Sequence, residues 1–241
     1  MSPVHALARA ARRPSFWAWL ALSALPPDLL SHAFGLDVVD PAYLVVCLLW
    51  WPLDVWGRLE ALRLVLAESG LEVRPARTAL ASCLGAEILL SLRCSVLILA
   101  GMLPALALFS LEGKEILGSL IALKNGHPAA GNWALSLAWA GLILAGLLPV
   151  TLYILRRLSA PQELLLRPLR SGEALDQAAA RTRGRLGALL ALALPWAALG
   201  WGLDLIGLAL PDSLSLALEL PSLAAGLAAV AVAGALKERP N

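Results

Sequence analysis

The sequence predicts an all-α fold, a polytopic bundle of about six transmembrane helices forming one domain over residues 1–241, and three observations predict it. Trp133 to Leu155 is an uncharged apolar run, and a spanning helix needs about 20 such residues to cross roughly 30 Å of hydrocarbon. Hydrophobic residues make up 59% of the chain, charged residues 15%, and mean hydropathy is +0.76, whereas ordinary soluble domains carry roughly 25% charge. The charges also fall in blocks between apolar runs, with Arg156 and Arg157 directly after the run above. With a net charge of only +2, bulk basicity does not point to nucleic acid; the position of each charge is the informative quantity.

Met1 to Pro14 carries Arg9, Arg12 and Arg13 and leads into Phe16, Trp17 and Trp19. Residues 16–25 resemble the apolar part of a signal peptide, but they run into Pro26, Pro27 and Asp28 without a small-x-small cleavage site. The first span is therefore read as uncleaved, over 16–36. Pro26, Pro27, Asp28 and His32 make it a poor helix, and the alternative is a short helix followed by a re-entrant piece whose backbone groups protein must satisfy. Span two covers 38–56, with Trp50, Trp51 and Trp56 crowding the end that leads to Arg58, as aromatic residues do at an interface. Arg58 to Gly70 sets apolar residues at helical spacing beside mixed charge and predicts a helix leaving the bilayer, with Gly70 as its C-cap.

Pro75 opens the next helix, which meets no strong breaker before Gly101 and Pro104. Thirty-odd residues at 1.5 Å each give roughly 50 Å, more than a bilayer needs, so one end projects or bends. The span is placed at 94–111, with Thr78 to Arg93, including Glu87, as an amphipathic lead-in. Residues 112–132 form a polar return containing a weakly amphipathic stretch, 115–123. Span four is 133–155, and the connection 156–185 carries Arg156, Arg157, Arg167, Arg170, Arg181, Arg183 and Arg185. Span five, 186–210, contains Pro195 and Asp204; Pro211 and Asp212 turn the chain; span six is 214–236. Putting the N-terminus, the connections 57–93 and 156–185 and the C-terminus on one side leaves only Lys114 and Lys124, of 19 Lys and Arg, on the other. The excess of basic residues in the first set predicts that both termini are cytoplasmic.

Two segments read alike. Pro52, Arg58, Arg63, Arg74-Pro75 and Ala79-Leu80 are echoed by Pro149, Arg156-Arg157, Arg167-Pro168 and Ala174-Leu175, the layout of a parallel internal repeat; two Arg-rich loops that simply look alike are the competing explanation. In the second of these, Leu148-Pro149, Arg156-Arg157 and Pro161 are followed by Ala174-Leu175 and Thr182-Arg183-Gly184. Over about 148–187 the chain resembles the YciC-like bacterial inner-membrane proteins, and the membrane domain found with some glycerophosphodiester phosphodiesterases is similar too. It departs from their usual Leu-Pro-Gly at Val150. The resemblance implies a multi-helix protein of the bacterial cytoplasmic membrane and brings no catalytic residues with it.

Candidate sites are few. Arg181, Arg183 and Arg185 are candidates for holding a lipid headgroup, since a basic residue near an anionic leaflet contributes on the order of 1 kcal/mol; an ordinary positive-inside flank looks the same. Asp28, Asp204 and Glu219, with His32, sit in or near apolar spans, where an ionisable group is by default a functional hypothesis, although Asp204 and Glu219 lie close enough to the 211–212 turn to reach water. Asp54 and Arg58, four residues apart on a helix, predict an anchoring ion pair. Ala225, Ala229 and Ala233 give a small-residue face for close helix packing. Cys47, Cys83 and Cys94 are an odd set in apolar stretches and imply neither a disulfide framework nor a zinc site. His5, His32 and His127 are scattered, no phosphate loop accompanies Gly141, Gly146, Gly200 or Gly202, and neither HExxH nor GxSxG is present. No catalytic residue, metal or cofactor is expected. The partners expected are membrane lipids and a protein partner or second copy, not nucleic acid. The reading that follows is a non-enzymatic envelope protein, the alternative a small transporter using the intramembrane carboxylates near helices kinked at Pro104, Pro149 and Pro195.

Overall fold

The computed structural model describes residues 3–23, 35, 40–124, 132–208 and 212–234, with only the backbone described at some helical positions, among them Asp204, Glu219 and Ala233. Every regular element in these residues is a helix: α1 Pro3–Ala10, α2 over residues 14–23, α3 Pro41–Glu68, α4 Ala76–Lys124, α5 Trp133–Arg157, α6 Ala160–Leu166, α7 Ser171–Arg181, α8 Leu186–Leu208 and α9 Asp212–Gly234. The all-α class is therefore as the sequence predicts. Among the described residues, three stretches are long and apolar enough to cross a membrane: Pro41–Glu68, Ala76–Ala122 and Trp133–Leu166. Shorter apolar stretches, Leu186–Gly200 and Leu220–Ala231, lie in α8 and α9, whose bounds fall within a few residues of the predicted fifth and sixth spans. Of the predicted first span, residues 16–23 belong to α2 and 24–34 lie outside the described residues.

Local chemistry sets the helix ends. The Asp40 carboxylate accepts from the Ala42 N–H at 2.8 Å, and Pro41 occupies the first turn of α3, where its missing donor costs nothing. At the other end Gly70 adopts φ +79°, its N–H donates to the Ala67 carbonyl at 2.9 Å, and Leu71 N–H donates to Leu66 at 3.3 Å. This is the Schellman arrangement, which needs a residue tolerant of the left-handed region. Helix α4 breaks at Glu112, with φ −123° and ψ 17°, where the predicted span gives way to the polar return. Pro52, Pro104, Pro149 and Pro195 are all accommodated within helices. The chain instead interrupts between α5 and α6, because Pro161 cannot donate to the Arg157 carbonyl and its ring crowds that turn. A second interruption, with Arg167 extended ahead of Pro168, separates α6 from α7, so the connection 156–185 holds two short helices.

The chain divides into two compact units. Residues 89–155 form an antiparallel helical hairpin of the later part of α4 with α5. Gly101 and Gly146 meet backbone to backbone, so that a methyl on either would strike the other's carbonyl. On one side of this crossing Arg93 donates to Tyr153 Oη at 3.2 Å. On the other, Phe109 lies 5.6 Å from Trp139, and Asn132 N–H donates to Ser119 Oγ at 2.7 Å.

The other unit comprises residues 1–88 and 156–241. Its core uses the second half of α3, whose Val55, Leu59, Leu62, Val65 and Leu66 are buried, with Leu164 and Leu165 of α6 and Ala174, Leu175 and Ala178 of α7. Helix α1 is more than a basic flank: it docks on α3, burying Ala6 and Ala10, and Arg13 pairs with Glu68. Helix α2 passes so close to α3 that a side chain on Gly57 would strike the Trp19 carbonyl. Arg74 ties the two connections together, its N–H donating to Leu165 O at 2.9 Å and its guanidinium to Leu164 O at 3.3 Å and Arg167 O at 3.0 Å. Ser171 Oγ donates to Ser82 O at 2.8 Å beside them.

Burial is uneven along α3. Its first half is apolar yet exposed, with Leu48 at 68% and Leu49 at 75%. In the most apolar windows of the three long stretches only 17%, 11% and 11% of residues are buried. Soluble monomers rarely leave contiguous apolar surface of more than a few hundred Å² uncovered.

Candidate functional site

One of the basic residues of the 156–185 connection, Arg181, is paired with a buried carboxylate. Glu163, on α6, is fully buried, and its Oε1 lies 2.7 Å from a guanidinium nitrogen of Arg181, itself 16% exposed at the end of α7. The two short helices are thus locked by a pair almost removed from solvent. The Thr182 hydroxyl, at the end of α7, lies 3.1 Å from the Ala179 carbonyl of its own helix and 3.2 Å from the Arg156 carbonyl at the end of α5, which brings the two helix ends together. Arg183 is exposed in the turn that follows, Gly184 supplies φ +72°, and Arg185 is half-buried ahead of α8. Of the three predicted headgroup residues, then, Arg181 is committed to Glu163, and Arg183 and Arg185 stand at the α7–α8 junction.

A second polar group sits where α3 and α4 run side by side. Arg58 grips Asp54 with two parallel bonds, Nε to Oδ1 at 2.9 Å and a terminal nitrogen to Oδ2 at 2.7 Å. The pair expected from the four-residue spacing is present. Glu87 of α4 joins it, Oε1 lying 3.3 Å from Arg58, while Trp51 donates its indole N–H to Glu87 Oε2 at 2.9 Å. Next to this group lies a cavity of about 280 Å³. Val55, Leu59 and Leu62 of α3 form one wall and Leu223, Leu227 and Val230 of α9 another, with Arg58, Cys83 and Glu87 at its polar end.

The remaining predicted residues do not gather into a site. Asp28 and His32 lie outside the described residues, as do the side chains of Asp204 and Glu219. Ala225 and Ala229 are buried, in the helix that packs most extensively against α8. The cysteines are free thiols, and among the described residues no three His, Cys, Asp or Glu side chains come together as a metal would require. Glu87 and Glu163 were missed by sequence reasoning because their partners lie on other helices. The available signal was an acidic residue set among apolar neighbours, as in Gln162-Glu163-Leu164-Leu165, where desolvation demands a partner. No protein-family model matches the chain, and no curated protein or solved structure shows significant similarity to it.

Proposed function

We propose that the chain is an integral, non-enzymatic protein of a bacterial inner membrane, of about six spans with both termini cytoplasmic, which binds lipid or partner proteins through its Arg-rich cytoplasmic helices. The observation that carries this reading is the pairing of long apolar stretches left uncovered by the rest of the chain with basic connections at their ends. Lipid would cover the first and an anionic leaflet would attract the second. Within the connection, Glu163 fixes Arg181 and so places the α7–α8 junction; Arg183 and Arg185 would meet the headgroup.

The test is native mass spectrometry of the chain released from lipid discs. Wild type should retain an anionic phospholipid beyond its bulk proportion, and Arg183→Ala/Arg185→Ala should lose it. Arg181 is kept in this variant, because its loss would also break the Glu163 pair. Bulk lipid in bulk proportions on both forms would reduce the cluster to a topological flank.

A further inference from the structure

We propose that the cavity of the first unit binds a lipophilic monocation, an apolar body with one ammonium-like centre, for which Glu87 is the counter-ion. The site is separate from the α7–α8 junction, so either reading stands or falls without the other. Its walls hold little for water. A buried water needs two to four polar partners, whereas Val55, Leu59, Leu62, Leu223 and Leu227 present only hydrocarbon. A volume of about 280 Å³ is near the lower end of small-molecule pockets, large enough for a compact apolar group.

Charge selects the head. Asp54, Arg58 and Glu87 sum formally to one negative charge. Arg58 spends its fork on both oxygens of Asp54, at 2.9 and 2.7 Å, and reaches Glu87 only at 3.3 Å. The other bond to Glu87 comes from Trp51, a neutral donor. The three side chains thus carry one negative charge beyond their one guanidinium, and Glu87, paired with Arg58 and bonded by Trp51, sets that net charge on the lining of an apolar space, where it is costly. A cation entering with its apolar part against α3 and α9 offsets that cost and removes apolar surface from water at the same time. An anionic amphiphile would meet Glu87 and find the guanidinium already engaged.

Helix α9 contributes the space itself. Gly226 lines the cavity, and a methyl built on it would touch nothing within 4 Å. Gly226→Leu therefore adds bulk at the cavity lining without a clash at its Cβ and leaves Asp54, Arg58 and Glu87 in place.

The experiment is equilibrium dialysis of the full chain, in neutral detergent, against benzyltriethylammonium and separately against octanoate. Wild type should bind the cation saturably, one per chain, and octanoate at least tenfold more weakly. Glu87→Gln and Gly226→Leu should each weaken cation binding at least tenfold, the first by removing charge and the second by removing room. Gel filtration identifies a variant that does not fold, and the other then carries the comparison. Absence of saturable cation binding by wild type, preference for octanoate, or unchanged affinity in a folded variant overturns the proposal.

Discussion

Glu163 is a carboxylate without solvent contact, whose ion partner Arg181 retains a sixth of its side-chain surface. The asymmetry sets the order of their variants. Arg181→Ala removes an ion partner from a buried carboxylate, and breaking a buried pair costs up to about 3–5 kcal/mol. Glu163→Ala leaves a guanidinium that can swing toward solvent, so its cost should be smaller, and the double variant should lie near Glu163→Ala rather than at the sum. Unfolding of the purified variants in detergent checks the order; equal and additive losses would mean that the two charges do not depend on each other. Spacing explains which pairs could be read beforehand. Asp54 and Arg58 obey the local i, i+4 rule, whereas Arg58 with Glu87, and Glu163 with Arg181, depend on which helices lie together, which no local period encodes.

Two expected ends were written locally: Gly70 and the charged step at Glu112 each combine a recognisable residue with a change in the surrounding pattern. The start of α3 at Asp40 and Pro41 lies a few residues after the expected 38, and the span and the helix expected after Arg58 are one continuous helix. The split between α5 and α6 also has a local cause, Pro161, but other prolines sit inside intact helices, so proline alone does not mark a boundary. Docking was less legible. Arg74 binds main-chain carbonyls of α6, and a carbonyl has no side-chain signature; the cavity between α3 and α9 is likewise a product of packing. Close crossing gives a sharper element-scale prediction. Gly146→Ala meets the Gly101 backbone, which has no rotamer to yield, and the hairpin should lose about 1–3 kcal/mol, as for other overpacked sites. Gly141→Ala on the same helix meets nothing within 4 Å and should be neutral or gain up to about 1 kcal/mol of helix propensity. Thermal unfolding of the two variants distinguishes them; indistinguishable midpoints would mean that the helices do not cross at these glycines.

For the molecule as a whole, the proposed topology predicts two compartments for two polar connections. In a version lacking Cys47, Cys83 and Cys94, a single cysteine replacing Lys114 should react with an impermeant maleimide on intact spheroplasts, and one replacing Arg170 only after permeabilisation. The reverse pattern would overturn the orientation, and equal reactivity would overturn the insertion. Arg74 has a further consequence, one of time. Its carbonyl partners, Leu164, Leu165 and Arg167, lie some ninety residues later in the chain, and at roughly 5–20 residues per second a ribosome takes about 5–20 s to produce them. During that interval α1 can already cover part of the inner face of α3, but α6 and α9 do not yet exist, leaving Leu59, Leu62 and Val65 incompletely sheltered. The apolar face of α3 thus stays partly open during synthesis, and it closes in two steps, first when Arg74 meets α6 and then when α9 has been made.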